Sequence, residues 1–170
     1  VTQIVAELTR LGVQCHELAV SHAFHSPLME PILAEFEAVA HTIRYSPATI
    51  GILSNLTGEL AGDEIATPGY WVRHLRQPVQ FASSMATLAA RGYDIFIEIG
   101  PKPVLLGMGK RCLDGEKGRE GERKKGGKGE IPHSWLPSLR QDQPDWQQML
   151  QSLGTLYAQG VAVDWQGFDR

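Results

Sequence analysis

The apolar positions of this 170-residue chain follow two periods, one typical of helices and one typical of strands. Apolar residues three and four apart predict six helices, over residues 4–11, 28–36, 70–75, 81–91, 104–112 and 146–156. Shorter apolar runs predict three buried strands, over residues 13–20, 50–54 and 95–99. Helices and strands that alternate along the chain in this way favour an α/β fold built in layers.

Glycine and proline mark the ends of several of these elements. Gly12, Gly92 and Gly160 each follow a predicted helix, where a glycine commonly ends it. Pro27 stands where the next helix begins, since the first turn tolerates a missing N–H group. Pro78 is expected to end or kink the helix that precedes it.

The pattern stops over residues 114–130, which contain only glycine and charged residues. A segment without apolar side chains cannot offset its ordering entropy, so we expect it to be disordered. Its basic residues are interleaved with acidic ones, which favours a solvated tether over a nucleic-acid site. Order is expected to resume at residue 131, with an extended piece at 135–137 and an extended tail at 161–165.

Composition narrows the possible partners. The net charge of −3 gives no reason to expect nucleic acid or an anionic membrane, and no apolar run approaches the length of a membrane span. Cys15 and Cys112 have neither zinc nor disulfide spacing and are read as reduced residues of a cytoplasmic protein. The other histidines are scattered without paired ligand spacing, which favours solvated or packing roles over a metal site: His16, His41, His74 and His133. The N-terminus has neither an initiator methionine nor a signal peptide, so we expect a piece of a longer protein.

The strongest chemical signal lies in residues 20–29, where His22 and His25 stand beside small hydroxyl residues at a break before a proline. An imidazole there is suited to moving protons near neutral pH. The sequence has no G-x-S-x-G turn, which would expose a serine nucleophile, and neither Ser21 nor Ser26 sits in one. From the residues alone, His25 is either a catalytic base or a buried histidine bonded to a backbone carbonyl.

Six segments together resemble the C-terminal part of the acyltransferase domain of modular type I polyketide synthases, with the linker that follows it. They are residues 22–29, 54–58, 70–81, 98–101, 135–140 and 163–165. The resemblance implies an α/β-hydrolase-like large subdomain with an inserted ferredoxin-like small subdomain. It assigns residues 1–19 to the end of the small subdomain, residues 20–113 to the large one, residues 114–130 to an insert and residues 131–170 to the post-acyltransferase linker.

The same resemblance implies a malonyl-CoA:acyl-carrier-protein acyltransferase. His25 aligns with the catalytic base, which activates a serine and later the phosphopantetheine thiol of an acyl carrier protein. The partners would be that carrier protein, neighbouring synthase domains and the acyl-CoA substrate, with no bound cofactor or metal. Because the family's serine lies upstream, we expect this chain to be inactive alone.

Four further residues gain expected substrate-site roles from the resemblance. The segment from His22 to His25 is similar to the malonyl-selecting form, in which Phe24 fills the space of an α-methyl branch; the alternative is that Phe24 is core packing. Asn55 is expected to hydrogen-bond within the active site or to be an ordinary turn residue. Gln80 lies where the family supplies a backbone carbonyl that orients the imidazole, and any residue near Pro78 to Gln80 could be the source.

A second hypothesis belongs to another class of protein. The chain could be a non-catalytic docking remnant in which residues 132–170 wrap a neighbouring synthase domain. The missing serine turn favours this alternative for the chain in isolation, and the intact histidine motif favours the first for the longer protein.

Overall fold

The structure, a computed structural model, describes residues 2–15, 21–117 and 133–168. Within these ranges the helices and strands follow one another as α1 Thr2–Arg10, α2 Leu33–Ala40, α3 Pro68–Arg76, α4 Phe81–Ala90, β1 Ile95–Glu98, α5 Val104–Lys117, β2 Ser134–Pro137, α6 Asp145–Ala158 and α7 Trp165–Phe168. Two short 3-10 helices, Pro27–Ile32 and Asp63–Ala66, precede α2 and α3. None of the described helices has the length and apolarity needed to cross a bilayer.

The two strands form a parallel pair in which Ile95 lies opposite Ser134 and Phe96 opposite Trp135. The Phe96 and Trp135 rings stack with centroids 4.5 Å apart. This side-chain contact favours the observed pairing register of the two strands. Helix α4 packs against α5, α5 contacts both strands, and α6 contacts β2. The result is the layered α/β arrangement predicted from the alternation of elements.

Helix α5 begins at a carboxylate that the preceding strand supplies. The Glu98 side chain accepts hydrogen bonds from the backbone N–H groups of Val104, Leu105 and Leu106 at 3.1, 3.1 and 2.8 Å. These N–H groups have no partner within the helix, and a negative charge also suits this end of the helix dipole. Glu98 therefore fastens the start of α5 to the end of β1.

Three predicted strands differ from the structure. Residues 13–15 have no regular structure, and residues 16–20 lie outside the described ranges. Residues 50–54 form only a single antiparallel bridge, between Leu53 and Leu60, because the chain turns back immediately after it. The prediction that residues 95–99 form a buried strand was wrong about burial: Ile97 is 52% exposed and Ile99 91% exposed, since β1 is covered on one side only.

Helix α5 is longer than predicted. We expected order to stop at residue 114, but the helix continues to Lys117. A helix already formed propagates by adding one hydrogen bond per residue, so it continues a turn beyond its last apolar residue. The expected disorder of the remaining residues, 118–130, lies outside the described ranges. The predicted extended tail is extended over 161–164 and then enters α7.

Candidate active site

His25 has an unusual backbone conformation. Its φ is +59°, and it is the only non-glycine residue with a positive φ in the described ranges. This left-handed conformation costs a residue with a Cβ roughly 1–3 kcal/mol, and such residues concentrate at functional sites. The His25 N–H group donates to the carbonyl of Leu75 at 3.0 Å, which ties the strained residue to the end of α3.

The His25 ring is held by two main-chain carbonyls, which we call the carbonyl cradle. Nδ1 lies 2.8 Å from the carbonyl oxygen of His74 and 3.0 Å from that of Gln77. Carbonyl oxygens only accept hydrogen bonds, so Nδ1 carries the proton in the neutral ring. Nε2 then carries the lone pair, and the half-buried ring presents it as a base.

The cradle exists because of Pro78. In a continuing helix the carbonyl of His74 would accept from the N–H group four residues later, but that residue is proline and has none. Proline also forces the residue before it into an extended conformation, and Gln77 has φ −90° and ψ 152°. Helix α3 therefore ends with two carbonyls turned toward His25. The negative end of its dipole also stabilises an imidazolium formed there.

The segment after His25 is anchored to its surroundings by side chains. Ser26 accepts a hydrogen bond from the N–H group of Leu28 at 3.3 Å and donates to the carbonyl of Ala23 at 2.6 Å, so its hydroxyl caps the first 3-10 helix. Glu30 in that helix pairs with Arg76 at the end of α3, with an N–O distance of 2.8 Å. His25 and the helix that follows it are thus both joined to α3.

His22 and Phe24 lie next to His25 without a direct bond to its ring. Nδ1 of His22 is 2.9 Å from the Ser21 hydroxyl, and the His22 and Phe24 ring centroids are 5.9 Å apart. Phe24 is 52% exposed, so its ring is not buried in the core of the described residues.

Asn55 and Gln80 are brought together, but not as expected for Gln80. The side-chain amide nitrogen of Asn55 lies 3.1 Å from Nε2 of His74. The main-chain carbonyl of Asn55 accepts from the N–H group of Gln80 at 2.8 Å. The carbonyl of Gln80 accepts from the N–H and hydroxyl groups of Ser84. The two carbonyls that face the imidazole come from Gln77, directly before the expected segment near Pro78 to Gln80, and from His74, which was not expected, because Pro78 turns both toward His25.

Sequence reasoning missed His74, which was read as a scattered histidine. Its ring stacks on Tyr70, and its edge contacts include Trp71 and His25, with centroids 6.0, 5.7 and 5.3 Å away. Burial lowers the pKa of His74 from its usual 6.5, and repulsion from a charged His25 lowers it further. The signal available in the sequence was its position four residues before Pro78. No cluster of three metal-ligating side chains occurs in the described ranges.

Comparison with known proteins identifies the class that carries this site. The sequence profile of the acyl transferase domain family matches residues 1–163, so the chain belongs to that family. Proteins with similar sequences include several polyketide synthases. It is 40% identical over 165 residues to polyketide synthase GfsB of Streptomyces halstedii, covering 95% of this chain and 3% of GfsB. It is 36% identical to the mycoketide-CoA synthase of Mycobacterium tuberculosis, covering 98% of this chain and 4% of that protein.

Solved structures agree with the sequence comparison. The acyltransferase domain from the second module of the salinomycin polyketide synthase superposes with a TM-score of 0.81 at 36% identity, covering 96% of this chain and 35% of that one. The malonyl CoA-acyl carrier protein transacylase of Clostridium perfringens shares the fold, with a TM-score of 0.72 at 19% identity. The chain thus spans about a third of the salinomycin domain, and it is a part of an acyltransferase domain of the polyketide synthase type.

Proposed function

We propose that this chain supplies the general base of a malonyl-transferring acyltransferase domain, and that the base is His25. The observation that carries the proposal is the carbonyl cradle, which holds the Nδ1 proton and leaves Nε2 as the acceptor. In serine hydrolases a carboxylate performs the same task of fixing the tautomer and orienting the ring. Two carbonyls at a helix C-terminus are the neutral equivalent.

In the first half-reaction Nε2 removes the proton of a serine hydroxyl supplied by the rest of the domain. The serine oxygen forms a bond to the thioester carbon of malonyl-CoA, and the carbon–sulfur bond breaks. The departing CoA thiolate takes the proton from the imidazolium, and a malonyl-serine ester remains. The cradle stabilises the transient imidazolium because both carbonyl oxygens face Nδ1–H.

In the second half-reaction the same nitrogen takes the proton of the phosphopantetheine thiol of an acyl carrier protein. The sulfur attacks the malonyl-serine ester, a new thioester forms, and the serine oxygen leaves with the proton from the imidazolium. One imidazole thus serves both transfers, so residues that hold its tautomer affect both rates.

We assign residues 2–15 to the end of the small subdomain, residues 21–113 to the large subdomain and residues 133–168 to the post-acyltransferase linker. Exposure of Phe24, 52%, supports a role at the substrate pocket beside His22. The ring would occupy the space of an α-methyl branch and favour malonyl over methylmalonyl groups. A single methyl changes discrimination by only ~1–3 kcal/mol, so the result is a preference. Phe24→Ser should raise the methylmalonyl share when the two CoA esters compete.

The strained backbone of His25 supports the catalytic proposal over the docking remnant. A remnant with no chemistry to perform has no need of a non-glycine residue at φ +59°. The cradle, the Glu30–Arg76 pair and the Ser26 cap all hold that conformation in place.

The test uses a chimera in which this chain replaces the matching 35% of the salinomycin second-module acyltransferase. Removing a general base typically costs ~10²–10⁴-fold, so His25→Ala should slow malonyl-enzyme formation by that factor. His22→Ala should slow it less, and His41→Gln, at a 65% exposed histidine, should leave it unchanged. Equal rates for the His25→Ala and His41→Gln chimeras would refute the assignment.

A further inference from the structure

We propose that Asn55 and His74 form a positioning pair that holds the carbonyl cradle in place around His25. The inference rests on the proposed role of His25 as the base. Asn55 was expected to contact the substrate; in this proposal it acts on the reaction by positioning His25. Neither side chain bonds to a nitrogen of His25. Both instead hold in place the main-chain segment whose carbonyls bond to His25 Nδ1.

Asn55 bridges the two helices that flank the cradle. Its side-chain amide lies 3.1 Å from the ring of His74 in α3, and its main-chain carbonyl accepts from the N–H group of Gln80, just before α4. The chain between these two attachment points contains Gln77, whose carbonyl is one half of the cradle. Asn55 thus bonds to both ends of the segment 74–80, which contains the two cradle carbonyls.

The turn that carries Asn55 is itself fixed. Ser54 is 1% exposed and its hydroxyl lies 3.1 Å from the hydroxyl of Tyr70 in α3. Gly58, at φ +76°, lets the turn lie against the first residues of α4, where an added Cβ would come within 2.5 Å of the Ser83 Cβ. Asn55 therefore projects from a rigid support, as a positioning residue must.

Hydrogen-bond chemistry fixes the state of His74. An amide nitrogen only donates, so Nε2 of His74 must accept and its proton must sit on Nδ1. Protonation of His74 would remove that acceptor. Burial lowers the pKa of His74, as does the charge of His25, and both effects favour the neutral ring that accepts from Asn55. The pair stays formed when the neighbouring imidazolium appears.

The test reads tautomers directly by 15N NMR of histidine side chains in the 170-residue chain. Spectra are taken at about pH 8.5, roughly two units above the ordinary imidazole pKa. Wild-type His25 should be almost entirely Nδ1–H. In Asn55→Ala and His74→Leu it should become a mixture with the Nε2–H form. His74→Gln, which keeps an acceptor at the end of a side chain of similar reach, should restore the wild-type tautomer, and His41→Gln is the neutral control.

Asn55→Asp keeps the shape of the side chain, and so decides the matter if the Ala variant does not fold. The new carboxylate only accepts, so His74 should switch from Nδ1–H to Nε2–H while His25 keeps its tautomer. An unchanged His25 tautomer in Asn55→Ala and His74→Leu would overturn the positioning role, as would a His74 that does not switch in Asn55→Asp. A wild-type His25 without Nδ1–H would instead contradict the proposed function itself.

Discussion

The two halves of the described structure use buried and half-buried polar groups for different ends. Around His25, main-chain carbonyls converge on one ring and leave its second nitrogen as a base. Beyond residue 94, polar side chains satisfy the backbone instead: Glu98 caps α5, while Gln148 and Ser152 in α6 both donate to the carbonyl of Pro137.

Under the proposed function, this difference separates residues that serve the reaction from residues that serve the scaffold. In the His25 region, here residues 21–91, the polar contacts hold a strained conformation that stability alone would not favour. In the C-terminal region, here the described residues 95–117 and 133–168, the contacts relieve unpaired backbone groups, and no non-glycine residue of these ranges has a positive φ. Substitutions in the His25 region should therefore change activity by amounts that do not follow the loss of stability. Substitutions in the C-terminal region should change stability alone.

The largest effect on stability is expected for Gly58→Ala in the His25 region. Alanine disfavours φ +76°, and its Cβ would also lie 3.1 Å from the Ser83 backbone carbon, so we expect a loss of about 2–4 kcal/mol. The matched control is Gly107→Ala in α5, where a Cβ meets nothing within 4 Å. That change should stabilise by about 0.5–1 kcal/mol. Urea unfolding measures both, and equal effects would show that the turn does not pack as described.

Glu98→Ala tests the scaffold role of the C-terminal region. It removes the acceptor of three N–H groups at the start of α5, so we expect a loss of about 2 kcal/mol in the free energy of unfolding. Glu98→Gln keeps one acceptor oxygen and should lose less. In the chimera, both variants should keep the wild-type rate per folded molecule; a selective loss of rate would give Glu98 a part in the chemistry.

A smaller effect distinguishes strain from packing at His25. Both His25→Ala and His25→Gly remove the ring, but only glycine adopts φ +59° without penalty. We expect the glycine variant to be more stable than the alanine variant by about 1 kcal/mol, the reverse of the usual order. Thermal unfolding of the two chains is the measurement, and a more stable alanine variant would remove the argument from strain.

The smallest effect concerns pH. Because folding lowers the pKa of His74 below 6.5, the unfolded chain binds more protons between the two pKa values. Stability should therefore fall as pH drops below about 6.5 and level off below the folded pKa. His74→Gln should lose less stability over that range than wild type, with His41→Gln as the control. A wild-type curve parallel to that of His74→Gln would show that His74 does not stay neutral in the folded chain.

The sequence predicted several helices and the His25 motif, and it missed other features for physical reasons. Apolar periodicity located α3, α4 and α6 within two residues at either end, and the His25 motif was recognised. The sequence pointed to a carbonyl near Pro78 to Gln80, and Gln77 lies directly before that segment. It missed the carbonyl of His74, because the proline was read only as a helix end and not as the residue whose missing N–H group leaves that carbonyl without its donor. The segment at residues 95–99 was read as buried because four of its five residues are apolar. Ile97 and Ile99 are exposed because the strand pairs on one side only, which no local pattern reveals.

In the proposed function, this chain contributes the base and the rest of the domain contributes the nucleophile. The most direct measurement is incubation with radiolabelled malonyl-CoA of the chain alone and of the chimera. We expect no stable label on the chain alone, and label in the chimera on a serine outside the grafted residues. Hydroxylamine-removable label on the chain alone, for example at Ser26, would contradict it.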